Sequence, residues 1–291
     1  DMAWNINSAT PQTVDLHYKA WLCRQFGQQA GETLFPTMCE FYKLCGQRKP
    51  EFMGWNQVEL DKRTFDRGLG PVRNTEMSTT AFGGELFRYE KAFLNLAVKV
   101  QNTKDMVREE LHDAFFAAIE YPVYAAAAHA IKMLEAQRAR AAANGSTANF
   151  VRQDSIALQT SNNSVVMHCL IKDFTQQYNS LKDGKWNLLM CDHPRDLPVF
   201  WAPLNPTTAQ FVEQANLGYG EKEDFPVNTD GATARNACQW DEASKGMTMV
   251  KMLGHSMNAV AMPKDGTLIY HFNCEKSGLM LLLGSMPVNC L

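Results

Sequence analysis

Two textures in succession predict an α+β multidomain chain, an antiparallel α-helical bundle followed by a partial antiparallel β-sandwich domain. Three observations carry the prediction. Up to residue 182 apolar side chains recur every three or four positions, the period of an amphipathic helix. Prolines at 194, 198, 203 and 206 then rule out regular helix. From about residue 208 short runs of β-formers alternate with turn residues.

Thr10-Pro11 reads as an N-cap followed by proline at the first helical position, where a missing N–H costs nothing. Val14, Tyr18, Leu22 and Phe26 follow at intervals of four, with Trp21 on the same face. After Gly27 a second helix places Leu34, Met38, Phe41 and Cys45 on one stripe and stops at Gly46. From Lys49-Pro50-Glu51 to Thr79 the glycines, Pro71 and many charges predict a long loop.

A third helix after Gly83-Gly84 carries Leu86, Tyr89, Phe93, Leu96 and Val100 at amphipathic spacing. A fourth is expected to begin near Thr103 and to kink at Pro122, which lacks a donor and crowds the preceding turn. Beyond it Tyr124, Ala128, Ile131, Met133 and Leu134 point inward, and the alanines at 125 to 128 admit a close neighbour. A last helix carries Val166, Leu170, Phe174, Tyr178 and Leu181. Strands are expected over residues 246–253, 258–262, 267–272 and 278–283, with Pro263-Lys-Asp-Gly266 as a turn. The division that follows is 1–9 as the tail of a preceding domain, 10–200 as the bundle and 201–291 as the β-domain.

Length and composition fit a globular protein: 291 residues, 45% hydrophobic, formal net charge −3. A near-neutral balance argues against nucleic acid as a partner. No uninterrupted apolar stretch reaches spanning length, so no membrane span is expected. Cysteines at 23, 39, 45, 169, 191, 238, 274 and 290 form no Cys-x-x-Cys pair, and buried thiols are the first expectation, disulfides the second. Acceptor triplets at Asn144 and Asn162 fall in what reads as a polar connection, where glycans could project; this favours an extracellular, secreted protein.

The search for a reaction centre returns none. Histidines 17, 112, 129, 168, 193, 255 and 271 are dispersed, and adjacent His168 and Cys169 face different sides of a helix. No metal site and no cofactor is expected. His129, on the alanine-rich helix, reads as a core or interhelical hydrogen-bonding residue. Glu109, Glu110 and Asp113 read as a solvated face, Glu221, Glu223 and Asp224 as an exposed loop. Glu120, among apolar neighbours, reads as a cap or interhelical partner. Trp4, Trp186 and Trp201 lie at the predicted junctions, where packing is the ordinary role.

Several motifs in order resemble glycoside hydrolase family 115, the xylan α-glucuronidases. They are Asp1-Met-Ala-Trp-Asn5, Gln25-Phe-Gly27, Arg48-Lys-Pro-Glu51, Phe82-Gly-Gly-Glu85, Asp113-Ala-Phe-Phe116, Tyr121-Pro-Val123, Tyr178-Asn179, Gly184-Lys-Trp186 and Pro194-Arg195. Residues 54–79 match nothing in that pattern, Asn187-Leu-Leu-Met190 stands where the family often has Met-Met, and His129 where it often has Asn. The resemblance implies a helical bundle and β-domain that follow a catalytic barrel. It also implies removal of α-1,2-linked, often 4-O-methylated glucuronic acid from xylan with inversion, a reaction needing a separated acid and base.

On this reading the catalytic carboxylates belong to the barrel, and none lies in this chain. Asp1, Trp4 and Asn5, at the barrel exit, are the substrate-binding candidates. Expected partners are xylan or glucuronoxylan reached through the barrel, and either a second copy or the neighbouring domain. The alternative is a non-catalytic carbohydrate-binding or assembly protein built from the same two domains. A third reading, an unrelated enzyme using the scattered histidines and cysteines, requires a clustered site.

Overall fold

The computed structural model describes residues 9–50, 53, 75, 77, 84–143, 155–203, 205–206, 240–251 and 258–271. Helix α1 (Pro11–Phe26) starts as expected. Thr10 and Thr13 form a reciprocal capping box, with Thr10 N donating to Thr13 Oγ1 at 2.9 Å and Thr13 N to Thr10 Oγ1 at 3.3 Å. A single residue, Gly27, joins it to α2 (Gln28–Gln47). Its φ of 96° lies where a side chain would strain the backbone, so glycine permits the reversal.

The two helices then lie close. A Cβ at Gly31 would sit inside contact distance of the Cys23 backbone and 2.7 Å from its Sγ. Beside this crossing Tyr18 stacks on Trp21 with ring centroids 6.1 Å apart, and Trp21 meets Phe26 edge-on at 6.2 Å.

Helix α3 (Glu85–Lys104) buries Leu86, Tyr89, Phe93, Leu96 and Val100, the whole predicted stripe. The Tyr89 hydroxyl caps α2 by reaching the carbonyls of Leu44 and Arg48 at 3.1 and 2.8 Å. The next helix does not begin near Thr103. That residue belongs to α3, where its hydroxyl bonds back to the Lys99 carbonyl at 2.8 Å. A turn and a short 3-10 segment (Glu109–Leu111) lead into α4 (His112–Phe115).

Here the expected proline kink takes a specific form. A π-helical turn (Phe116–Glu120) separates α4 from α5 (Tyr121–Ala143), with Tyr121 N bonded to the Phe116 carbonyl. Pro122 offers no N–H, and the wider turn ahead of it absorbs the register change. The composite helix Glu109–Ala143 is long and apolar enough to cross a membrane, unlike anything expected from the sequence, with a mean hydropathy of 1.2 in its most apolar window. It lies in the middle of the bundle, where Phe115, Ile119, Val123, Ala130, Met133 and Leu134 are buried among α2, α3 and α6.

Helix α6 (Ser155–Gly184) packs along α5 on a face that the apolar pattern does not show. Val165 and Val166 are exposed, while Ala157, Thr160, Ser161, Ser164 and Thr175 are buried. Small hydroxyl residues allow the approach and bond across it: Ser164 Oγ donates to the Lys132 carbonyl at 2.6 Å, and Tyr121 and Thr175 hydroxyls are 3.3 Å apart. Lys182 and Asp183 adopt left-handed φ of 52° and 55°, which ends the regular helix after Ser180.

The proline segment forms 3-10 turns at Pro194–Asp196 and Pro198–Phe200, not α-helix. Further on, β1 (Glu242–Ala243) pairs antiparallel with β4 (Leu268–Ile269), and β2 (Thr248–Lys251) with β3 (Asn258–Ala261). The register, Glu242 opposite Ile269 and Thr248 opposite Ala261, nests one pair inside the other as one interrupted hairpin. The predicted turn is present, with Gly266 N bonded to the Pro263 carbonyl at 2.8 Å. The strand expected over 278–283, the acidic loop at 221–224 and His255 lie outside the described residues.

Candidate functional site

Helix α5 is the centre of interest because its buried face is not uniformly apolar. His129, Lys132, Glu135, Gln137 and Arg140 are all buried. Such groups are tolerated only with partners, and four of them meet segments from elsewhere in the fold.

Lys132 is fully buried and donates from Nζ to the carbonyls of Phe200 and Trp201 at 3.1 and 3.2 Å. Burial lowers its pKa to about 7, against the pull of Asp192. Gln137 Oε1 accepts from Thr75 N at 2.8 Å and Thr75 Oγ1 at 2.6 Å, and its Nε2 donates to the Met77 carbonyl at 2.6 Å. His129 lies against Phe200, with centroids 5.8 Å apart. Desolvation, then Lys132, holds its pKa well below the ordinary value, while the carbonyls of Met53 and Pro50 pull the other way. The imidazole is therefore neutral in the fold, and its buried Nε2 has no hydrogen-bond partner among the described residues.

The fourth contact joins three helices. Arg138 Nη1 donates to Glu90 Oε2 on α3 at 3.3 Å and to Glu135 Oε1. Its guanidinium covers the Phe87 ring at 4.6 Å, and Asn163 on α6 donates to Glu135 Oε2 at 3.3 Å. Burial first, then the neighbouring Glu135, pushes the Glu90 carboxyl up to about 8. At the other end of α5 Glu120 is buried, as its apolar neighbours suggest; it pairs with Lys104 of α3 at 3.0 Å and accepts from the Tyr124 hydroxyl at 3.3 Å.

Beside this spine is an open cavity of about 530 Å³, lined by the end of α2, the start of α5, α6 and the proline segment. Phe41, Tyr121, Ile171 and Phe200 make it mainly apolar; Lys49, His129 and Asp192 are its charged or titratable side chains, with Cys45 and Cys191 as thiols. At its edge Cys191, Asp192 and His193 place one ligand atom each within 4.8 Å of one another.

Residues 1–52 match the family model described as Glycosyl hydrolase family 115. A solved structure described as a family 115 4-O-methyl-alpha-glucuronidase with specificity for decorated arabinogalactans is also similar. It aligns with a TM-score of 0.60 and 26% identity over 92% of this chain. The chain is thus similar to glycosyl hydrolase family 115. It spans 30% of the length of that glucuronidase chain. A search of curated proteins finds no match. The α1–α2 hairpin, with its aromatic cluster and the Gly31 crossing, lies within the residues that the family model matches.

Of the residues singled out from the sequence, Asp1, Trp4, Asn5 and Asn144 lie outside the described residues. Asn162 is exposed but sits within α6, not in a connection, and Ser164 of its triplet is buried and bonded to Lys132. Cys23, Cys39 and Cys45 are partly exposed, Cys169 and Cys191 exposed, and none of the five is in a disulfide, so among the described residues neither buried thiols nor disulfides are found. The buried polar side chains of α5 escaped notice because Lys132, Glu135 and Gln137 read as the solvated side of an amphipathic helix. A helix flanked by three others has no solvated side. The Cys191-Asp192-His193 triplet was passed over, although three ligand types standing in succession could have drawn attention to it.

Proposed function

We propose that this chain is a member of glycosyl hydrolase family 115 and the supporting helical and β portion of a glucuronidase-type glycoside hydrolase. The enzyme removes 4-O-methylated α-linked glucuronic acid from xylan-type polysaccharide with inversion, and the acid and base act outside these residues. One observation supports the reading above others: among the described residues two of the buried carboxylates, Glu90 and Glu135, meet on a single nitrogen of Arg138, and the third, Glu120, is paired with Lys104. Inverting hydrolysis needs its carboxyls roughly 6.5–9.5 Å apart, with sugar and water between them. Two carboxylates on one guanidinium nitrogen, each less than a tenth exposed, leave room for neither. The cavity beside α5 is lined by one carboxylate, Asp192, and so offers no pair.

On this reading α5 holds residues 50, 53, 75, 77, 200 and 201 in place, and these belong to the surface presented to the catalytic part. The test is release of 4-O-methylglucuronic acid from glucuronoxylan by the purified 291-residue chain. No release above the buffer rate is expected. Turnover abolished by Glu90→Gln or Glu135→Gln in a chain that still folds would refute the reading.

A further inference from the structure

We infer that Cys191, Asp192 and His193 form a three-ligand site for a thiophilic divalent cation, zinc in the first instance, at the edge of the cavity. The donor set is the starting point. A thiolate, an imidazole and a carboxylate together suit zinc and its borderline-soft neighbours, whereas calcium and magnesium prefer oxygen alone. The donor atoms lie within 4.8 Å of one another, and His193 Nδ1 is already 2.7 Å from Asp192 Oδ1. Ligand atoms around a tetrahedral zinc are roughly 3.4 Å apart, given bonds of about 2.1 Å. The cluster reaches that spacing by side-chain rotation, with the ion replacing the proton that Nδ1 and Oδ1 share.

The loop that presents the three residues is fixed on both sides. Asn179 clamps the residue before it, accepting from Met190 N at 3.0 Å and donating to the Met190 carbonyl at 2.9 Å. After it, Asp196 Oδ1 accepts from the Trp201 indole at 2.8 Å, and Lys132 holds the carbonyls of Phe200 and Trp201. Little ordering is then left for the ion to impose. Cys191 and Asp192 also line the cavity, so the fourth coordination position opens on that space, where water or a small ligand fits. Binding releases the Cys191 thiol proton. The site stands independently of the glucuronidase reading.

The test is a titration of the reduced, chelator-stripped 291-residue chain with Co2+, followed by displacement with Zn2+. One ion per chain is expected, with a thiolate-to-cobalt absorption band and tetrahedral visible bands that zinc abolishes. Cys191→Ser removes the thiolate band, while Asp192→Asn and His193→Ala each weaken binding by about tenfold or more. Cys191 and His193 are exposed and Asp192 is partly exposed, so these variants fold, as an unchanged melting temperature without metal confirms. An unaltered titration in Cys191→Ser or His193→Ala overturns the site, because the ion would then be held by other groups. So does a wild-type chain that shows no thiolate-to-cobalt band at one equivalent.

Discussion

The ammonium of Lys132 and the carbonyl of Phe200 are 3.1 Å apart inside the bundle, and that bond ties the proline segment to the central helix. The same nitrogen also reaches the Trp201 carbonyl. Removing it leaves two carbonyls with a partner lost, a cost of about 1–3 kcal/mol each where they stay dry. In Lys132→Met the amides of residues 199–203 are expected to exchange about tenfold faster or more, with the helices unaffected. Hydrogen exchange by mass spectrometry reads this, and unchanged protection would show that the segment is held by its apolar contacts.

The same lysine gives stability a pH dependence. Its pKa is about 7 in the fold and near 10.5 when unfolded, so across that window the unfolded chain binds the extra proton. Stability therefore rises with pH between those values. Urea unfolding of Lys132→Met is expected to lose that rise; a parallel rise in wild type and variant would contradict it.

Gly31→Ala tests the helix crossing of the family-matched hairpin. The added methyl meets the Cys23 backbone, which cannot swing aside as a side chain can. A loss of about 1–3 kcal/mol is expected in chemical unfolding. A variant as stable as wild type would mean that α1 and α2 stand further apart.

Gln137→Leu leaves Thr75 N, the Thr75 hydroxyl and the Met77 carbonyl without the partner that now serves all three. A loss of about 2 kcal/mol or more follows if the site stays dry. Proteolysis should first appear near residues 75–77. Cleavage first at another place would show that this segment is anchored by other contacts.

Much of this was legible in the sequence, for reasons that also explain what was not. The stripe Leu86, Tyr89, Phe93, Leu96 and Val100 is buried as its spacing predicts, because α3 presents one face to the core. Thr10-Pro11 starts α1 as read, since a cap is local chemistry. For α6 the pattern misled: Val166 is exposed and Ser164 buried, because contact with the alanine-rich α5 selects small side chains over apolar ones. Pro122 announced a break, yet its form, a π-turn over Phe116–Glu120, depends on how neighbouring helices hold both sides. The node of Glu90, Glu135 and Arg138 joins α3 to α5 over long separations that no local pattern encodes.

The central claim is that the buried polar side chains of this chain are structural, with the Glu90 carboxyl held protonated in the fold, and Glu90 tests it most directly. Its carboxyl is raised from 4.5 to about 8, so between those values the folded form keeps a proton that the unfolded chain has lost. Its stabilisation is complete below the lower value and lost as pH rises through the upper one. The decisive measurement is the melting temperature of wild type and Glu90→Gln from about pH 5 to about pH 8.5. The account predicts that wild type falls across this range while the permanently neutral variant declines far less and melts higher at the alkaline end. Two parallel curves, or a variant that melts well below wild type at every pH, would contradict it.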